Sequence, residues 1–254
     1  MATVYIAPTA QGSADGTSEA NAYAIGSIAT AESDAGSGGT IYFLDGTYTN
    51  IGTWDADGVT YESLNLHGAE ITGTQPNFGS ASASVTIKKF KITPNSTERF
   101  YVYGASSVID QIFLTATSSF GYWVQTQGVK FNNSLIVSNN CSGIGRDNQK
   151  LSEFKGNTFV VTGIDGNSSG SLSFSAGSAP PAKNCIFISD DTADNVISAS
   201  IASSSTNCCF HRFGTNNASG GTNNVFSDPL LVDFTNGDYR LRPTSPCINA
   251  ATAS

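Results

Sequence analysis

Lys88-Lys89-Phe90-Lys91-Ile92, Asp110-Gln111-Ile112-Phe113-Leu114 and Asn132-Asn133-Ser134-Leu135-Ile136 lie one under another at steps of 22 residues. Four later stretches continue the series: Lys155-Gly156-Asn157-Thr158-Phe159, Lys183-Asn184-Cys185-Ile186-Phe187, Thr206-Asn207-Cys208-Cys209-Phe210 and Thr222-Asn223-Asn224-Val225-Phe226. Successive centres are 22, 22, 23, 28, 23 and 16 residues apart, so a loop insertion and a shortened turn account for the two irregular steps. A fixed period of this size is the mark of a repeat architecture.

The columns of the alignment have chemical character. Ile92, Leu114, Ile136, Phe159, Phe187, Phe210 and Phe226 form one that is apolar in every copy, and Ile87, Ile109, Phe131 and Phe154 form another. Phe90, Ile112, Ser134, Asn157, Cys185, Cys208 and Asn224 mix small, apolar and amide side chains, and the column before them holds Asn133, Asn184, Asn207 and Asn223. Alternation within a copy has the period of two that belongs to strands. A step of 22 or 23 residues leaves too little chain for a strand, a crossover helix and two loops. Both facts are met by a coil of short strands stacked at about 4.8 Å, each coil touching only its neighbours. The reading is all-β: a single-stranded parallel β-helix, or solenoid. Inward columns then become ladders, one aliphatic and aromatic, another of Asn amides bonded up the stack. Cys185 and Cys208 fall in one ladder as stacked thiols.

Composition agrees. Charged residues are 13% and Met is 1, while Ser, Thr and Asn make up about a third of the 254 residues, which disfavours a helical bundle. At 39% hydrophobic, with 15 Phe and 9 Tyr, the chain has the apolar mass for a core. A net charge of −8 argues against nucleic acid or anionic lipid as partner, and no apolar run reaches membrane-spanning length. The start, Met1-Ala2-Thr3-Val4-Tyr5-Ile6, has neither the basic nor the apolar segment of a signal peptide. Five cysteines without C-x-x-C spacing read as buried thiols rather than a zinc site.

Three regions follow within one continuous domain. Residues 1–40 hold an N-terminal strand and a short capping helix, placed at Ala24 to Asp34 and ended by Gly36-Ser37-Gly38-Gly39. Residues 41–227 are the coils. Residues 228–254, punctuated by Pro229, Pro243 and Pro246, close the last one.

The ends carry a resemblance. Val4-Tyr5-Ile6, Gly12, Asp15-Gly16-Thr17 and Gly39-Thr40-Ile41-Tyr42-Phe43-Leu44-Asp45-Gly46-Thr47-Tyr48 resemble the opening of the pectate-lyase-like right-handed parallel β-helix superfamily, of the kind found in bacteriophage spike and surface proteins. Asp228-Pro229-Leu230-Leu231-Val232-Asp233, Gly237-Asp238-Tyr239-Arg240-Leu241 and Ser245-Pro246-Cys247-Ile248-Asn249-Ala250 resemble its closing segment. The resemblance implies the fold and little about activity, since such rods serve as lyases, hydrolases, adhesins and phage surface proteins.

Chemistry-bearing residues are sparse. Asp190, Asp191 and Asp194 follow one strand, and His211 and Arg212 follow the equivalent strand of the next coil. Hydrolysis on such a rod needs two or three carboxylates from adjacent coils, and β-elimination needs Ca²⁺ on carboxylates with an Arg or Lys base. These five residues are the catalytic candidates of an enzyme reading; solvated turns and a surface pair are the competing one. Arg146, Asp147 and Lys150 form a second polar group, Asp165 marks a loop tip and Asp45-Gly46 a turn. Trp54, Tyr122 and Trp123 are aromatic candidates for stacking on sugar rings, with Tyr61 beside them. No metal or cofactor is expected unless the lyase reading holds, with its Ca²⁺.

The leading expectation is a virion surface protein, assembled in a host cytoplasm without a secretory signal. A capsid decoration, or a tail fibre or spike component, would act by binding or reinforcement, with a glycan of the host surface among its ligands, other virion proteins as partners and a homotrimer about the rod axis. The alternative is a polysaccharide lyase or glycoside hydrolase, a depolymerase on the same scaffold.

Overall fold

The structure is a computed structural model that describes residues 2–49, 51–73, 76–95, 100–116, 122–124, 128–139, 145–146, 151–162, 169–172, 181–189, 195–197, 204–211, 221–248 and 250. Three parallel sheets run side by side along a β-solenoid, two of eight strands and one of seven. Each coil contributes a strand to one sheet, turns, contributes to the next and turns again, so sequence neighbours lie in different sheets and spatial neighbours lie a coil apart. The parallel β-helix read from the repeat is the fold of the chain.

The apolar columns are the core. In the second sheet the register stacks Tyr48, Ile71, Ile92, Leu114, Ile136, Phe159, Phe187 and Phe210, all buried. In the first it stacks Val4, Ile41, Tyr61, Ile87, Ile109, Phe131 and Phe154. In the third, Trp54, Phe78, Val102 and Val124 complete the triangle. Late in the rod the second-sheet column turns wholly aromatic: Phe159, Phe187, Phe210 and Phe226 stack with ring centroids 5.5, 5.1 and 5.6 Å apart.

The Asn column has another cause than the one expected. Asn133, Asn184, Asn207 and Asn223 have φ of 49°, 53°, 54° and 55°, and His67, Lys89 and Gln111 occupy the same corner in earlier coils with φ of 60°, 63° and 56°. The corner between the first and second sheets requires left-handed backbone, which Asn tolerates better than other non-glycine residues. Gly156, with φ 70°, takes the corner in its coil. Asn133 is exposed and Asn207 buried, so this is a corner column, not an inward one. One amide pair does bond up the stack, Asn207 Nδ2 to Asn184 Oδ1 at 3.3 Å.

From the Gln111 corner onward the next residue explains the mixed column. Its N–H points toward the following coil, where side chains accept it: Ile112 N to Ser134 Oγ at 3.2 Å, Ser134 N to Asn157 Oδ1 at 3.0 Å, and Cys208 N to Asn224 Oδ1 at 2.9 Å. Cys208 Sγ takes the place of oxygen for Cys185 N at 3.5 Å, which sets the two thiols one above the other inside the rod. Buried N–H groups must find partners, and this column supplies them.

At the N-terminal end, strand Thr3–Ala7 is already part of the first sheet, between Thr40–Phe43 and Tyr23–Ala24. The α-helix covers Ile28–Ala35, with a 3-10 turn at Ile25–Ser27 before it, so it starts later than the sequence reading placed it. Ala31 and Ala35 are buried against the core, with Ile25 and Ile28 packed beside them.

In the closing segment Leu231–Asp233 and Asp238–Leu241 form an antiparallel hairpin that lies along the side of the rod. Leu231, Phe234, Tyr239 and Leu241 pack on the outer face of the second sheet, against Leu135, Val137, Val160, Ile186 and Ile188. That face is polar earlier, where Thr49, Thr72, Thr93 and Thr115 form a column, and becomes apolar along the same column at Val137, Val160 and Ile188. The patterning of the strands therefore specifies where the hairpin docks. Phe226, at the end of the aromatic stack, is 53% exposed.

Candidate functional site

Beside the hairpin the second sheet ends in a concavity. Asp228 begins it. Its Oδ1 accepts the N–H of Leu230 at 2.8 Å, an Asx turn made by the Asp-Pro pair. Leu230 is forced to φ 54°, a conformation that costs a branched side chain on the order of 1–2 kcal/mol. Its carbonyl is held by Arg242 N at 2.9 Å, so the strain is locked in by hairpin pairing. The turn drops Leu231 onto Val160 and Ile188 and leaves a cavity of about 520 Å³.

Ile188 and Leu231 form part of its apolar lining, and Ser189, His211, Asp228, Asp233 and Arg242 contribute polar groups. His211 ends the strand Cys209–His211 and sits in the outward column directly after Ile188. Its Nε2 is 4.0 Å from Asp228 Oδ1, an ion pair when the imidazole is protonated. Arg242 Nη2 donates to the Val232 carbonyl at 2.9 Å, which fixes the guanidinium against the hairpin. Asp233 accepts from Asn236 Nδ2 at 2.7 Å and Asn236 N at 3.2 Å, and these bonds hold its carboxyl below the usual range. The cavity thus sets an imidazole, carboxylates and a guanidinium around apolar side chains. Such a site offers hydrogen bonds to hydroxyls and an apolar surface to the C–H face of a ring.

Of the five residues singled out for catalysis, His211 lines this cavity. Asp190, Asp191, Asp194 and Arg212 lie outside the described residues, as do Asp147, Lys150 and Asp165. Asp228 was legible only as part of a closing segment; its place beside His211 needs the hairpin to fold back along the rod.

Trp54 is not a surface aromatic. It is fully buried, with its ring stacked on Phe43 at 4.5 Å and on Tyr61 at 5.2 Å. The alternation of a two-residue strand, Thr53 out and Trp54 in, decides this. Tyr61 is buried as well, and its hydroxyl donates to Glu32 Oε1 at 2.6 Å, tying the helix to the coil. Tyr122 shares the register column of buried Phe100, and Trp123 that of Tyr101 and Arg146. Tyr101 and Tyr103 are half-buried, their rings stacked at 6.3 Å. Asp45 does sit at a turn, but its carboxylate accepts from Asn65 Nδ2 in the next coil at 3.0 and 3.1 Å instead of from its own backbone.

Among the described residues no three His, Cys, Asp or Glu side chains converge as a metal ion would require, and no helix is long and apolar enough to cross a membrane. No family model matches the chain, and no curated protein matches it significantly.

Proposed function

We propose that this chain is a bacteriophage virion surface protein, a capsid decoration or a tail fibre or spike component, that works by binding a host-surface polysaccharide. The observation that carries the binding reading is the cavity, where His211, Asp228 and Arg242 surround Ile188 and Leu231 on the side of the rod. Charged groups there pair with sugar hydroxyls while the apolar side chains take the ring face. The regular parallel stack and the 13% charged composition suit a durable external part, with other virion proteins on its flat sides and trimers about the rod axis.

A depolymerase is the second reading, and the facing of His211 and Asp228 at 4.0 Å favours it. An imidazole and a carboxylate are groups that move protons. In β-elimination His211 would take the proton beside a uronate carboxyl that Arg242 pairs with, the glycosidic C–O bond would break as the double bond forms, and the departing oxygen would take a proton from water or from the imidazolium. In hydrolysis Asp228 would be one of two carboxyls.

The test is light scattering for mass, then incubation with a panel of acidic and neutral polysaccharides, reading retention, new unsaturated ends and new reducing ends. Retention without either product, weakened tenfold or more by Asp228→Asn and Arg242→Gln, is the expected result. Release of either product, lost in His211→Gln, moves the assignment to the enzyme. No retention and no product with any polysaccharide overturns both.

A further inference from the structure

The aromatic column of the second sheet stops in the open. Phe159, Phe187 and Phe210 are buried, each under the ring of the next coil, while Phe226 lies on Phe210 at 5.6 Å and 15° and is 53% exposed. The backbone ends in the same way. Phe210 donates its N–H to the Val225 carbonyl at 2.9 Å, and Val225 donates its own to the Cys208 carbonyl at 2.8 Å. Both backbone groups of Val225 are thus turned toward the preceding coil. Those of Phe226 turn the other way, because successive residues of a strand inside a sheet bond to opposite neighbours. They stand where Phe210 gives its N–H to a following coil, and among the described residues nothing takes them up.

The other end of the rod is shut. Val4, Tyr48 and Trp54, first in the inward columns of the three sheets, are at most 4% exposed, and Ala31 and Ala35 of the helix are buried on the core. A rod with one shut end and one open end has no surface for adding copies head to tail. Its open end can be met by the open end of another copy. Charge permits this: Thr222-Asn223-Asn224-Val225-Phe226-Ser227 carries none, in a chain of net charge −8 whose copies otherwise repel.

We propose that two copies of this chain join end to end through Phe226, about a two-fold axis that crosses the rod. Such a contact is self-complementary and sets Phe226 of one chain against Phe226 of the other. Strands related by that axis run antiparallel, and residues directly opposite can exchange both N–H···O=C bonds, with their Cα atoms about 5.5 Å apart. The N–H and C=O that Phe226 turns outward suit this pair. The two rings then meet at a spacing close to the 5.5, 5.1 and 5.6 Å of the column inside each rod, and water leaves both faces. A strand edge with free backbone groups recruits another strand, and pairing with its own kind closes the edge after one addition. The contact stands independently of what the cavity binds and of how the sides of rods pack.

The experiment measures mass by light scattering and longest dimension by small-angle X-ray scattering, on the whole chain and on three variants. The parent should have twice the mass and close to twice the length of Phe226→Lys, which puts a charge on each end, whatever number of rods lie side by side. Phe226→Tyr keeps a ring and should keep the doubling. Val232→Lys, on the hairpin at a position 37% exposed, should keep it too. Far-ultraviolet circular dichroism checks that all four share the β fold. A parent with the length of a single rod, about 40 Å for the eight strands of the second sheet and the Val225 bridge, would overturn the proposal without reference to any variant. So would equal lengths for the parent and Phe226→Lys, a mass that doubles without the length, loss of the doubling in Phe226→Tyr or Val232→Lys, or filaments longer than two rods.

Discussion

Asn157 Oδ1 accepts the backbone N–H of Ser134 in the preceding coil at 3.0 Å, and its Nδ2 donates to the Phe131 carbonyl at 2.9 Å. A fully buried amide thus satisfies a corner N–H of one strand and a carbonyl of another. Removing it takes the acceptor from the Ser134 N–H and one donor from the Phe131 carbonyl inside the rod. Asn157→Leu should cost about 2–4 kcal/mol, an unmet N–H at about 1–3 kcal/mol and a lost bond to the carbonyl at about 1 kcal/mol. Asn157→Ser, the residue used at the same place one coil earlier, should cost less. Urea unfolding of the two variants checks the order; equal loss would mean the amide serves only as filler.

Gln111 sits at a left-handed corner with φ 56° and an exposed side chain. Gln111→Asn should leave stability unchanged or raise it by a few tenths of a kcal/mol. Gln111→Val, branched at Cβ, should lower it by about 1–2 kcal/mol. Thermal melts of the pair measure the corner requirement with no core contact altered.

His67 Nε2 lies 3.0 Å from the Gln111 carbonyl, and partial burial of the ring holds its pKa below the ordinary 6.5, against the opposing effect of that bond. The unfolded chain therefore takes up the proton first as pH falls. Stability falls as pH drops through 6.5 and levels once the pH is below the folded-state pKa. The urea midpoint should fall less between pH 7.5 and 5.5 in His67→Gln than in the parent. An identical fall in both would show that the ring does not titrate differently on folding.

The hairpin is held on the sheet by Leu231, which packs with Val160 and Ile188. Leu231→Ala should free residues 231–241 without unfolding the coils. Hydrogen exchange should then speed at Leu231–Asp233 and Asp238–Leu241 while Phe159 and Phe187 keep their protection. Cooperative loss of all protection would place the hairpin inside the main folding unit.

The repeat carried the architecture because each coil meets its neighbours at corresponding positions, so inward columns appear in the sequence as columns. Ile92, Leu114 and Ile136 were legible for that reason. The corner Asn residues were visible, but their reason was not, since a conformational requirement and an inward ladder leave the same mark in an alignment. Trp54 was misread because a two-residue strand gives too little alternation to say which face is buried.

Sequence alone therefore determined the period, the parallel stack and the core, all properties that one coil repeats to the next. Tertiary structure decided what happens once. The fold-back of residues 231–241 onto Val160 and Ile188 goes with a turn that sets Asp228 near His211. These contacts join segments with no common period, and only burial of the outer apolar face of the second sheet brings them together.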